Sequence, residues 1–218
     1  MIKGMIFDLD GTLIHTLPDI RYALNETLCR FGFPQRTYDE VRLGVGHGFR
    51  HLIDCSVPEG TSEEIRQEVA TLYRQTYKEN CCRSSQPFEG VKEMLEELQK
   101  EGVKLAVNSN KGNDLSRKLI DLNFPGIEWT AVYGAREGIP HKPDPAAALQ
   151  IMEQMDLKET EMAYIGDSDT DMETGKNAGF HTIGCLWGYR DRENLRAAGA
   201  ERIAEEASAI LKYRKETS

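Results

Sequence analysis

Short apolar runs alternate with amphipathic helical stretches along most of this chain, and that alternation restricts the fold more than any other feature. The runs lie at 3–7, 103–107, 129–133, 162–165 and 180–186. Each is nearly continuous in apolar character, as in strands buried on both faces of a parallel sheet. Between them, Val91, Met94, Leu95 and Leu98 follow helical spacing, and Gly102 reads as a C-terminal stop. Asp144-Pro145 reads as an N-cap followed by proline in the first turn of a helix running to Met155. Strand and helix in this order predict an α/β fold, a Rossmann-like parallel sheet covered on both faces. Trp187 and the region 201–212 are expected to complete the edge of the core.

One stretch breaks the rhythm. Between Ile14 and Ser84 no strand pattern stands out. Leu17, Ile20, Leu24, Leu28 and Phe31 form a helical stripe ending near Gly32. Ile65, Val69, Leu72 and Tyr73 form another, opened by a Thr61–Glu64 capping box. The expected organisation is a core of residues 1–14 and 84–218, interrupted by an all-helical insert of residues 15–83. A chain of 218 residues is long enough for both.

Composition narrows the function. With 39% hydrophobic and 29% charged residues the chain is globular. No apolar run reaches the ~18 residues of a membrane span. Asp8 cuts the apolar start Met5-Ile6-Phe7, so no secretory signal is expected. The net charge of −9 disfavours nucleic acid as a partner. A small anionic ligand would need a metal ion or a few placed Lys and Arg. Five cysteines without a C-x-x-C pattern fit reduced thiols in a cytoplasm rather than a disulfide framework. Monomer and homodimer both remain open.

The chemistry-bearing residues sit just after strands. The first run ends Asp8-Leu9-Asp10-Gly11-Thr12. Residues two apart in an extended chain point the same way, so Asp8 and Asp10 would face one spot at the C-terminal edge of the sheet. Two carboxylates this close repel, and a hard divalent cation would compensate them; a solvated turn is the alternative. Gly166-Asp167-Ser168-Asp169-Thr170-Asp171 follows the fourth run. Spacing puts Asp167 and Asp171 on one helical face, either as metal ligands or as simple capping acids. Ser109 and Asn110 follow the second run and suit phosphate oxygens, or form only a turn. Lys142 stands in His141-Lys142-Pro143-Asp144-Pro145, where proline stiffens the backbone. At the glycine-rich turn 44–48, His47, Arg50 and His51 are either a candidate group for an anionic leaving group or exposed polar residues of a helix. G-x-G-x-x-G fails there because Phe49 holds the last position.

The ordered set D-x-D-G-T, S-N, K-P and G-D-x-x-x-D resembles the haloacid dehalogenase-like (HAD) superfamily over nearly the whole chain. That resemblance implies the HAD fold with an inserted α-helical cap domain that selects substrate. It implies Asp8 as nucleophile and Asp10 as general acid/base. Ser109 with Asn110, Lys142 and, from the cap, Arg50 would bind the substrate. The implied cofactor is Mg²⁺, held by Asp8, Asp10 (through its carbonyl) and Asp167, with Asp171 in support. Asp10, where dehalogenases of this superfamily carry Tyr and phosphonatases Ala, favours phosphate-ester chemistry. Leu17-Pro18-Asp19-Ile20, Gly44-Val45-Gly46 and Trp187-Gly188-Tyr189 look like the phosphoglycolate phosphatases. His15-Thr16 departs from their usual Asp-Ser. The expected activity is therefore hydrolysis of a small phosphorylated metabolite through an aspartyl phosphate. A β-phosphoglucomutase-like mutase, or a pyrophosphatase or nucleotidase of the same architecture, is the alternative. From other classes, a phosphoacceptor signalling domain and a catalytically silent interaction protein also share such a pocket.

Overall fold

The computed structural model describes residues 1–215. In chain order its elements are β1 (Gly4–Phe7), β2 (Ile14–His15), α1 (Leu17–Arg30), α2 (Tyr38–Gly44), α3 (Phe49–Ser56), α4 (Glu63–Asn80) and β3 (Gln86–Pro87). Then come α5 (Val91–Lys100), β4 (Lys104–Gly112), α6 (Asn113–Asn123), β5 (Trp129–Ala135) and α7 (Ala146–Met155). The chain finishes with β6 (Met162–Gly166), α8 (Asp169–Asn177), β7 (His181–Cys185), α9 (Arg192–Ala198), β8 (Arg202–Ala204) and α10 (Ser208–Tyr213). No described helix is long and apolar enough to cross a membrane.

Six strands form one parallel sheet in the order β5-β4-β1-β6-β7-β8. All five sequence-expected strands are present, and the 201–212 region supplies the edge strand β8 and helix α10. The apolar runs are continuous because both sheet faces are covered. Met5 and Phe7 of β1 pack in one cluster with Met94 and Leu98 of α5 and Leu119 of α6. Ile6 points the other way, into a cluster with Ile151 and Met155 of α7. Alternate side chains of one strand thus feed two cores, as period-two geometry requires.

The helical insert leaves the sheet after β1. The expectation of no strand next to it needs one correction: Ile14 and His15 pair antiparallel with Pro87 and Gln86 in a two-residue ribbon. Two residues carry no periodicity, so sequence could not reveal it. The four helices α1–α4 build their own apolar core, with Leu17, Leu24, Val41, Leu52 and Val69 among its buried members. The residue Tyr189, from the loop after β7, also packs into it. Two helix starts shift by one residue. Ser62, not Thr61, caps α4 by accepting from the Ile65 N–H, while the Thr61 hydroxyl donates to the Pro58 carbonyl. Pro145 occupies the N-cap position of α7, and the Asp144 carboxylate accepts from the Ala146 N–H at 2.9 Å. The five cysteines are free thiols.

Sheet order positions the site. The chain runs from β1 outward to β4 and β5, then returns to the other side of β1 for β6, β7 and β8. Strand order reverses between β1 and β6, where open α/β sheets hold ligands beyond the carboxyl ends of the strands. Phe7 is in register with both Val107 and Ile165, so the ends of β1, β4 and β6 are level. Whatever follows those three residues is delivered to one place.

Candidate active site

Asp8, Asp167 and Asp171 converge at that place, each offering a carboxylate oxygen within 4.8 Å of the others, and all three are buried. Asp171 lies in the first turn of α8, and its Oδ2 accepts from the Ser168 hydroxyl at 2.6 Å and the Ser168 N–H at 3.0 Å. Asp167 does not share a helical face with Asp171, as spacing had suggested. It lies between β6 and the helix, because Ser168 takes the N-cap. The two carboxylates still meet, because α8 turns back over the end of β6. Asp167 is held by the Thr12 hydroxyl at 2.8 Å and the Tyr189 N–H at 2.8 Å. Asp169 is half-exposed, 3.6 Å from His47.

One buried cation answers these charges. The Lys142 ammonium donates to Asp8 Oδ1 and Asp171 Oδ1, both at 2.6 Å. Burial alone would lower the Lys142 pKa; the Asp171 and Asp8 carboxylates overcome it and hold the ammonium well above its usual value. One ammonium does not balance three carboxylates. Burial pushes Asp8 up to about 7, against Lys142 and with the help of Asp171 and Asp10. Burial, then Asp171 and Asp8, also raise Asp167. Such a set of close, desolvated, under-compensated oxygens suits a hard divalent cation such as Mg²⁺.

Asp10 sits at the mouth of the site and belongs to a different network. Its Oδ1 accepts from the Thr16 hydroxyl at 2.5 Å, and its Oδ2 pairs with the Lys111 ammonium at 2.9 Å. The departure at 15–16 thus keeps a hydroxyl where it is used. His15 instead packs its ring 5.3 Å from that of Phe88. Lys111 also donates to the Tyr77 hydroxyl of α4 at 2.8 Å, which ties the insert to the core.

Ser109 and Asn110 lie beside Asp8 along a cavity of about 800 Å³. Ser109 is buried, with its hydroxyl oxygen accepting the Lys111 N–H at 3.3 Å. The Asn110 amide is engaged by the protein itself. It accepts from the Lys142 N–H at 2.9 Å and donates to the Gly46 carbonyl at 2.9 Å, so it positions the lysine loop and the insert. Arg50 is not brought to the site. Its guanidinium lies 3.7 Å from Glu63, more than half exposed and off the cavity wall. The pattern of α3 explains this: Leu52, Ile53 and Ser56 face inward, which leaves Arg50 outward. Arg74 and Lys78 are the insert cations that border the cavity.

Sequence reasoning gave no role to Thr12, Lys111 or Tyr189. Lys111 follows Ser109-Asn110 at the same strand end, and that adjacency was an available signal. Tyr189 stood out only within the family-like Trp187-Gly188-Tyr189, which says nothing of its contact: its hydroxyl accepts from the Thr16 and Leu17 N–H groups, some 170 residues away in sequence.

Glycines leave room for the carboxylates. A Cβ on Gly188 would lie 2.2 Å from Cβ of Asp167. Gly188→Ala is expected to displace Asp167 and weaken divalent-cation affinity about 10- to 100-fold. Titration of activity against Mg²⁺ checks it; an unchanged midpoint would free Asp167 of that role.

A reversal point in a parallel sheet, furnished with a lysine-bridged carboxylate cluster beside a helical insert, defines an α/β protein whose site can hold a hard cation. The chain matches the haloacid dehalogenase-like hydrolase family over residues 5–185, and it belongs to that family. It is 37% identical over 189 residues, 86% of each chain, to a phosphoglycolate phosphatase of Aquifex aeolicus. It is 31% identical over 216 residues to a phosphoglycolate phosphatase of Vibrio vulnificus, spanning 96% of this chain and 95% of that one. A crystal structure from Lactobacillus delbrueckii subsp. bulgaricus superposes with a TM-score of 0.91 at 27% identity, covering 97% of this chain and 98% of the other. The protein is an enzyme of the phosphatase type.

Proposed function

We propose that the protein hydrolyses a small phosphate monoester, of the phosphoglycolate kind, with Mg²⁺ and through an aspartyl phosphate on Asp8. Asp8, Asp10 and Ser109 line one cavity, with the buried Lys142 bound to Asp8, and that convergence carries this reading. The relatives supply the substrate type, and Arg74 and Lys78 on the cavity wall are cations for the carboxylate of such a leaving group.

Asp8 is the nucleophile. Lys142 takes its Oδ1 and fixes the direction of the other oxygen. A carboxylate about 4 Å from a single negative charge is opposed by about 4 kcal/mol at an effective dielectric near 20, and a phosphate dianion roughly doubles that. The Lys142 ammonium offsets part of it. Asp8, Asp167 and the Asp10 carbonyl would hold Mg²⁺, with Asp171 in support; when bound it supplies charge neutralisation for the phosphoryl oxygens. The Ser109 hydroxyl and the N–H groups at the end of β4 would hold those oxygens as charge shifts.

Asp10 then serves both half-reactions. It gives a proton to the leaving alkoxide and later takes one from the attacking water. Thr16 and Lys111 fix its orientation. Asp10→Asn is expected to slow release of alkyl alcohols about 10²- to 10⁴-fold. It should slow release of p-nitrophenolate, which needs little protonation, far less. Equal losses on both esters would remove the general-acid role.

The helical insert acts as the cap that encloses the leaving group. The decisive measurement for the whole reading is phosphate release from 2-phosphoglycolate with Mg²⁺, ended by a chelator. A phosphosugar isomerised without net phosphate would place the protein with the mutases instead.

A further inference from the structure

The cavity above Asp8 is larger than a two-carbon acid requires. Its volume is about 800 Å³, within the range of pockets that enclose drug-sized ligands. Asn110 donates to the Gly46 carbonyl at 2.9 Å, and Lys111 to the Tyr77 hydroxyl at 2.8 Å, so core and insert already touch across the cavity. The insert lends Ile20, Val45, Phe49 and Leu52 to the wall, and α6 lends Leu115. Phe49 and Leu115 are only partly buried against the insert core; the Arg74 guanidinium lies over one face of the Phe49 ring, 5.4 Å from its centroid, and the rest of the exposed ring with Leu115 leaves apolar surface for a ligand. A carboxylate a single methylene from the phosphate ester would leave that surface uncovered, and covering apolar surface is what favours binding there.

We infer that this site also hydrolyses phosphate monoesters of alcohols that carry an apolar, ring-sized body, with the phosphate at Asp8 and the body on the wall of Phe49 and Leu115. In the reaction the ester P–O bond breaks. Water supplies a hydroxyl to phosphorus and a proton to the alcohol, so inorganic phosphate and the free alcohol are the products. The inference rests on the phosphatase reading and adds a second class of substrate to it.

The test compares 2-phenylethyl phosphate with ethyl phosphate, whose leaving groups are both primary alkoxides and differ only in the ring. With Mg²⁺, kcat/KM is expected to be at least tenfold higher for the phenylethyl ester, the low end of what burying a phenyl ring contributes. Phe49→Ala is expected to cut that ratio at least threefold; an unchanged ratio would overturn the placement of the ring on this wall. A wild-type ratio near one, with 2-phosphoglycolate still hydrolysed, overturns the inference and leaves the phosphatase reading standing. Absence of phosphate release from all three esters overturns both.

Discussion

Asp8→Asn is expected to lower kcat for phosphate release by about 10⁴-fold or more, the scale seen when a covalent nucleophile is removed from an otherwise complete site. An amide oxygen is neutral and does not form the acyl phosphate, while its size is almost that of the carboxylate. The fold should therefore survive. It should even gain, because three buried carboxylates face one ammonium and the substitution removes one of them. The pH dependence carries the sign. Burial raises Asp8 from 3.8 to about 7, so in metal-free protein the folded state keeps a proton that the unfolded chain has lost between those values. Stability conferred by the neutral form is thus lost as pH rises through that window. Thermal melts from pH 4 to 7 in chelator should show this slope, and Asp8→Asn should flatten it. Residual turnover near wild type would sink the nucleophile assignment.

Lys142→Met is expected to damage stability and catalysis together. The substitution keeps an unbranched chain of similar volume and removes the ammonium, with both its charge and its hydrogen-bond donors. Asp8 and Asp171 each lose a 2.6 Å partner while remaining buried. Breaking such a pair from one side costs about 3–5 kcal/mol. For a chain of this size that is a fall in Tm of roughly 10 °C. Mg²⁺ should return part of the loss, since a cation that binds only the folded site stabilises it by mass action. Calorimetry with and without Mg²⁺ measures both effects. A Tm equal to wild type in chelator would mean that the carboxylates do not depend on the ammonium for their burial.

Much of the architecture was legible because strands and helices write their periods locally. Met5, Ile6 and Phe7 read as a doubly buried strand, and they feed two separate cores. The β2–β3 ribbon was not legible, because a pair of residues cannot display a period. Arg50 shows a different kind of miss. It was chosen for its charge and for its place after a glycine-rich turn. The apolar phase of α3 already pointed it away from the cavity.

The site divides along the same line. Asp8, Asp10, Ser109, Lys142, Asp167 and Asp171 could be singled out in the sequence because their ordered set resembles the HAD superfamily; taken one at a time each could equally be a turn, a cap or a solvated side chain. Their company could not be read from it. Lys142 reaches Asp8 across 134 positions, and Tyr189 reaches Thr16 across 173. Lys111 joins Asp10 to Tyr77 of the insert only because the fold brings the end of β4 within reach of α4.

By itself, then, the sequence determined five strands of the main sheet, the apolar faces of the helices and which residues follow those strands, since these depend on spacing along the backbone. The tertiary structure alone decided that β1 lies in the middle of the sheet, that its end is level with those of β4 and β6, and how much space the insert leaves above them. Those are properties of neighbours distant in the chain. They are set by how two apolar cores pack against one sheet and by which buried charges can be balanced, neither of which has a period to read.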